Sequence, residues 1–460
     1  MAKSAIVVLG AGPAGLAAAW QAARRGHDVV VIERSHAVGG MAGSFDLAGV
    51  RVDHGSHRLH PSIDPRILET LRTLLGDDLQ ERPRNGRIRL ADRWLAFPLS
   101  AGDMMRHLPR RFALARDALT APLRRARADT FAEVVSAGLG PTVYEMFYRP
   151  YVEKLWGTPP EQLSGELARR RVSARSPGAV ARRILRRSPA TGQAFLYPRR
   201  GFGQIAEVLA DAATRAGAEI RLATEVTGAT LSSEGAEVLL GDGVTIDTRR
   251  VWSTLPVAAL ARRVSPPPPD DALAAAGRLV HRGLLLVYLV LDRPRFTEFD
   301  AHYFPEAAFA TARLSEPKNY RANPDDPGER TVVCAEIPCW EGDERWQMPD
   351  DDLGDLVVDD VRRAGLPDVR PAEVAVRRLP RVYPVYRPGF EGDLAALERW
   401  VASQPALLTF GRQGLFVPDN THHALAMGWA AAGALSDDGA FDEAGWRRAR
   451  DGFRAHVVED

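Results

Sequence analysis

The stretch that most constrains this chain is its first forty residues. Residues 4–40 read SAIVVLGAGPAGLAAAWQAARRGHDVVVIERSHAVGG. An apolar run at 5–9 enters Gly10-Ala11-Gly12-Pro13-Ala14-Gly15, an Ala-rich segment of helical length follows, and a second apolar run at 29–32 ends on Glu33. The pattern predicts a strand, a glycine turn, a helix and a second strand with an acid at its tip. Gly10 permits the tight turn, Gly12 lets backbone N–H groups approach a pyrophosphate, and Gly15 lets the helix pack closely on the strand. The helix that Pro13 and Ala14 open presents its positive end to the anion. Glu33, 23 residues after Gly10, is placed to accept hydrogen bonds from a ribose hydroxyl.

Beyond the acid, Glu33-Arg34 is followed after four residues by Gly39-Gly40 and then Met41-Ala42. This run resembles the second flavin fingerprint of FAD enzymes related to amine oxidases, protoporphyrinogen oxidase and UDP-galactopyranose mutase. The resemblance implies a cofactor, FAD, with the double glycine passing close to its diphosphate. The chain carries no second GxGxxG for a nicotinamide and no cysteine in its C-terminal part for covalent attachment, so the FAD is expected to be non-covalent.

At 460 residues the chain has room for two or three domain-sized units, and 45% hydrophobic content supplies their cores. A net charge of +1 gives no argument for nucleic acid or any strongly charged partner. Cys334 and Cys339, five apart in TVVCAEIPCW, would point to opposite faces of a strand and form neither a disulfide nor a metal pair. Sparse cysteine and the absence of a signal peptide point to a reducing cytoplasm. No apolar run reaches the ~18 to 20 residues a membrane span needs.

In chain order, Asp53-His54-Gly55-Ser56-His57 and Arg58-Leu59-His60 leave a strand for a loop. Gly55 and Pro61 argue against the helix that would make His57 and His60 a metal pair, and no metal is expected. The segment resembles the Gly-x-His-x-x-His of the mutases, which puts His57 beside the flavin ring; His60 reads as a site residue or as a hydrogen-bonded loop histidine. Residues 101–139 carry Arg106, Arg110, Arg111, Arg124, Arg125 and Arg127 on helical spacing, either a solvated face or one for peripheral contact with an anionic membrane.

The run Phe147-Tyr148-Arg149-Pro150-Tyr151-Val152-Glu153-Lys154-Leu155-Trp156-Gly157 resembles the mutase segment whose aromatic, Lys and Trp-Gly residues line the substrate cleft. That implies cleft roles for Tyr151, Lys154 and Trp156. Arg170 falls fourteen residues after Trp156, where the mutases carry an arginine that grips a nucleotide diphosphate. Ten arginines and no acid mark residues 167–200, either a basic wall for an anionic substrate or a solvated stretch.

The pattern turn, helix, Gly217, strand, Thr224-Glu225-Val226 resembles the superfamily's return to the FAD domain, with Val226 at the adenine. Near the end, Gly411-Arg412-Gln413-Gly414 follows a strand and precedes a helix containing Met427. It resembles the last FAD motif, whose helix N-terminus faces the flavin N1–C2=O edge and stabilises negative charge there. In the mutases this motif leads into two diphosphate-binding tyrosines; here Phe416 and Pro418 stand in those places.

The fold class expected is α/β: a glutathione-reductase-like FAD-binding Rossmann domain, discontinuous at 1–60, 195–262 and 400–440. A mixed-sheet and helical substrate domain at 61–194 and 270–399 is inserted in it, with a C-terminal helix at 441–460. The expected function is FAD-dependent oxidation of a small, anionic or sugar-linked metabolite. The alternative is a reduced-flavin-dependent sugar-nucleotide mutase.

Overall fold

The N-terminal pattern folds as β1 (Ser4–Leu9), α1 (Pro13–Ala23) and β2 (Val29–Ile32). The computed structural model describes residues 4–99, 111–120, 129–172 and 194–458. β1 has parallel neighbours on both edges, so that Val7 lies opposite Val30 on β2 and Val251 on strand Thr245–Ser253. Its alternate residues enter two different cores, Val7 and Leu9 one, Ile6 and Val8 the other. Burial on both faces is why the run is apolar throughout and not alternating.

Around β1 an eight-stranded sheet runs in the order Val264–Ser265, Val226–Ser232, Gly235–Leu240, Thr245–Ser253, β1, β2, Glu219–Arg221. Strand Leu407–Thr409 joins it parallel to Thr245–Ser253. Segments from the start, middle and end of the chain thus share one sheet. α1 packs between helices Gln204–Arg215 and Thr421–Gly433. Its small residues Ala17, Ala18, Ala19 and Ala22 are fully buried, and Gly428 crosses so close that a Cβ there would overlap the Ala14 carbonyl oxygen.

A second, seven-stranded sheet runs Glu373–Pro384, His281–Leu291, Thr331–Cys339, Arg313–Ser315, Ala301–Tyr303, Gly86–Leu90, Arg93–Phe97. The run LLLVYLVL in His281–Leu291 is central, with antiparallel neighbours on both sides. Leu284, Leu286 and Tyr288 face the core shared with the first sheet; Leu285, Val287 and Leu289 pack under helix Asp350–Arg363. Cys334 and Cys339 divide between the same two faces as free, buried thiols, as their odd spacing requires. Helices Phe131–Leu139, Arg149–Trp156 and Gly165–Arg171 cover the junction between the sheets. Arg106, Arg110, Arg124, Arg125 and Arg127, and most of the arginine-rich stretch after residue 172, lie outside the described residues. Among the described residues no helix is long and apolar enough to cross a membrane.

Candidate active site

A cavity of about 800 Å³ lies between the two sheets, lined at one end by Gly10, Gly12, Pro13 and Ala14 and at the other by the strand Glu373–Pro384. Gly10 has φ of 102° and its N–H donates to the Ile32 carbonyl at 2.8 Å, which turns the chain sharply from β1 into α1. A Cβ at Gly15 would overlap the Gly10 carbonyl oxygen, so a hydrogen there lets α1 sit directly on the turn. At Gly12 the situation is the opposite: a Cβ would meet no atom within 4 Å and would project into open space. Space at a helix N-terminus with unpaired N–H groups suits a pyrophosphate.

The Glu33 carboxylate accepts from the backbone N–H of Ala11 at 2.9 Å and of Ser35 at 2.9 Å. Those bonds fix the acid at the cavity wall and leave lone pairs for ribose hydroxyls. Arg34 and Val226 line the same end. Gly39 and Gly40 both take positive φ, and Gly39 N–H donates to Ala11 O at 2.8 Å, so the second glycine pair is laced onto the first turn. Gly40, Met41 and Ala42 line the cavity beside it. Glycines that clear the space, a helix N-terminus and an anchored acid together fit an adenine dinucleotide. Replacing Glu33 with Ala removes the ribose acceptor and strands two N–H groups; FAD affinity should fall by roughly ten- to a hundred-fold, at ~1.5 to 3 kcal/mol for bonds to a charged group. An unchanged dissociation constant in a flavin-release titration would place the ribose elsewhere.

Midway, the loop 53–58 crosses the cavity and presents His54 and His57. The buried Asp53 carboxylate accepts from Ser44 Oγ at 2.6 Å, from Phe202 N–H at 2.9 Å and from the Tyr197 hydroxyl. His57 lies flat on Phe202, ring centroids 5.1 Å apart, with Nε2 3.0 Å from the His54 carbonyl. Burial pushes its pKa down. From the second sheet, Glu336 accepts the Ser56 N–H at 2.8 Å and is held bidentately by Arg313 at 2.8 Å.

Opposite the glycines, Arg171 and Arg412 line the cavity with Arg381 and Tyr383. Arg412 donates to the carbonyls of Asp419 at 3.1 Å and Val382 at 2.8 Å, and its buried Nε has no hydrogen-bond partner among the described residues. Burial and the neighbouring Arg171 both depress its pKa, by more than Tyr383 and Asp419 raise it. Arg171 rests over the Trp156 ring, 5.4 Å from its centroid.

Residues 13–419 match the family described as flavin containing amine oxidoreductase. The chain belongs to that family. Its cofactor is FAD. The fold is that of reduced UDP-galactopyranose mutase, with TM-score 0.82 and 19% identity over 99% of this chain and 100% of that one. A structure described as a protoporphyrinogen oxidase from Exiguobacterium sp. 255-15 gives 0.70 and 20% identity over 92% and 97%. Cyclohexylamine oxidase from Brevibacterium oxydans gives 0.67 and 17% over 94% and 98%. In sequence, the flavin-containing monoamine oxidase AofH of Mycobacterium tuberculosis is 42% identical over 82 residues, a match that spans only 18% of either chain.

In this member of the family, His57, His60, Tyr151, Gly411 and Arg412 line the cavity. Other residues expected at the site lie off it. Lys154 projects away, its ammonium capped by the carbonyls of Phe304, Glu306 (2.7 Å) and Thr311 (3.2 Å), and burial lowers its pKa to about 7. Trp156 is buried beneath the wall with Nε1 on the Pro384 carbonyl at 3.1 Å, where it supports Arg171. Arg170 turns back to Glu166 at 3.0 Å and faces Asp419 at 3.8 Å, so the adjacent arginine is the one that reaches the cavity. Met427 is core between α1 and its neighbours, while Gly15 and Gly39 shape the turns from behind. Sequence reasoning passed over Asp53, Arg313, Glu336 and Asp419. An acid inside the apolar strand TVVCAEIPC was the available signal for Glu336.

Proposed function

We propose that the protein is an oxidoreductase that oxidises a small, anionic or sugar-linked metabolite, with FAD held non-covalently. When bound, FAD supplies a hydride acceptor at N5. In this reading the glutathione-reductase-like cofactor part is assembled from 1–60, 195–262 and 400–440, and residues 61–194 and 270–399 carry the substrate. The observation that carries the anionic assignment is the pair Arg171 and Arg412, two guanidiniums on one cavity wall with burial acting on Arg412. Two guanidiniums on one wall repel each other, and an anionic ligand in the cavity would offset the burial cost that Asp419 leaves on Arg412. Arg171 on its Trp156 platform would orient that anion, and His57, kept neutral by burial, would sit beside the reacting carbon without competing for it. Cys334 and Cys339, buried in their strand, supply no attachment point at the cavity.

A second reading, a redox-neutral mutase, is favoured by the match along the whole chain to reduced UDP-galactopyranose mutase. Against it, Phe416 is buried against His281 and Tyr386 while Pro418 lines the cavity, and neither offers a hydroxyl to a diphosphate. The test is to add sugar nucleotides, amines and organic acids to the oxidised enzyme without oxygen. The expected result is bleaching of the visible flavin absorbance, one flavin per site. Arg171→Ala should keep its FAD and raise KM about tenfold or more, the scale of one charge-assisted contact. Turnover only after chemical reduction, with no net change in flavin redox state, would overturn the oxidoreductase reading in favour of the mutase.

A further inference from the structure

After helix Glu443–Phe453 the chain turns back, His456 N–H donating to Phe453 O at 3.2 Å, and residues 455–458 bring Val458 into the cavity wall. Three contacts hold them. His456 Nδ1 lies 2.6 Å from Asp419 Oδ2. Its ring stacks on His423 with centroids 4.1 Å and planes 12° apart. Val458 N–H donates to the carbonyl of Arg170 at 2.7 Å, and Val458 itself is a buried part of the cavity wall.

Asp419, His423 and His456 also bring three metal-ligand atoms within 4.8 Å of one another. A metal ion must lie in the plane of each imidazole that binds it, and two nearly parallel stacked rings do not converge on one point. The Arg170 guanidinium, 3.8 Å from Asp419 Oδ1, adds a competing positive charge. The cluster therefore reads as a hydrogen-bonded clasp.

We propose that residues 455–458 form a movable wall of the substrate end of the cavity, latched by His456 on Asp419, and that Val458 limits which substrates fit beside Arg171. Helix Glu443–Phe453 packs on helix Thr421–Gly433, whereas Arg170 lies in the last turn of helix Gly165–Arg171. The segment thus ties helix Gly165–Arg171 to the pair Thr421–Gly433 and Glu443–Phe453. Its last bond falls on the residue before Arg171, so closing the wall and setting the guanidinium are one event. The choice of an anion as ligand rests on the function proposed above; the wall itself does not.

The experiment measures quenching of flavin fluorescence by iodide in the holoenzyme, with deuterium exchange at residues 455–458 and at the last turn of Gly165–Arg171. His456→Ala should raise the quenching constant about tenfold, the equivalent of one charge-assisted hydrogen bond, and raise exchange at both segments together. His456→Asn, whose amide nitrogen can take the place of Nδ1, should restore most of the protection. If His456→Ala does not fold, Val458→Gly opens the same wall without touching the latch and gives the reading. Unchanged quenching and exchange in a variant with parental FAD content and melting temperature would overturn the proposal. So would increased exchange at 455–458 without a change in quenching. Because iodide reports access whatever the natural substrate is, failure of the Arg171→Ala test would leave this result standing.

Discussion

Gly15→Ala should yield a protein that melts lower and retains little FAD. The added methyl would overlap the Gly10 carbonyl oxygen and come within 3.3 Å of Val8 Cγ1. Neither obstacle can yield cheaply: Gly10 is fixed by its positive φ and its bond to Ile32, and Val8 is fully buried in β1. α1 must therefore lift, which also disturbs its close crossing with Gly428. Overpacking costs ~1 to 3 kcal/mol where side chains can adjust, and backbone against backbone belongs at the upper end or beyond. Gly12→Ala is the control, since its methyl meets nothing in the fold and would instead occupy space the cofactor needs. It should melt near the parent temperature as apoprotein yet bind FAD weakly. Parental melting and full flavin content in Gly15→Ala would refute the account of this turn.

The second large effect is expected at Glu336. Burial works against the charge of Arg313, and the Glu336 carboxylate together with Tyr303, Tyr383 and Tyr151 more than offsets it. Glu336→Ala leaves that guanidinium buried without a counter-charge and strands the Ser56 N–H, at a cost of ~3 to 5 kcal/mol. Arg313→Met with Glu336→Leu removes both charges and should recover most of the stability. Urea denaturation of the parent and the two variants decides the matter, and a double variant no more stable than Glu336→Ala would mean that the unpaired charge of Arg313 is not the source of the loss. Since Glu336 also fastens the loop that presents His57 and leucine cannot accept the Ser56 N–H, the flavin spectrum should be perturbed in both variants, even where the double variant's melting point is restored.

What could be read from the sequence was local. Residues 4–33 state their strand, turn and helix within a span in which each residue's role depends on near neighbours. The run in His281–Leu291 is similarly plain, because only a strand covered on both faces is apolar at every step. Arg170 and Arg171 illustrate the limit. Successive helical residues diverge by about 100°, so a small shift in where helix Gly165–Arg171 sits decides which of them sees the cavity. That orientation is set by the burial of Leu167 and Ala168 and by Glu166 holding Arg170. Spacing from Trp156 carries none of this information. Asp419 and His456 lie 37 residues apart on different elements, and Arg313 and Glu336 meet across two strands of one sheet. Pairs of that kind become visible only once the chain is folded.

The crossing of α1 with helix Thr421–Gly433 bears on how the protein comes into being. The glycine turn leaves the ribosome some four hundred residues before the helix that backs it through Ala14 and Gly428. Strand Leu407–Thr409 likewise joins the first sheet late. A nascent chain must therefore keep an apolar, Ala-rich helix and the edge of a parallel sheet in waiting while some four hundred residues are made, an arrangement that invites aggregation and slows folding. The turn gains its backing only after helix Thr421–Gly433 has been made. Holoprotein yield in a cell should thus depend on chaperone capacity during translation as much as on the supply of FAD.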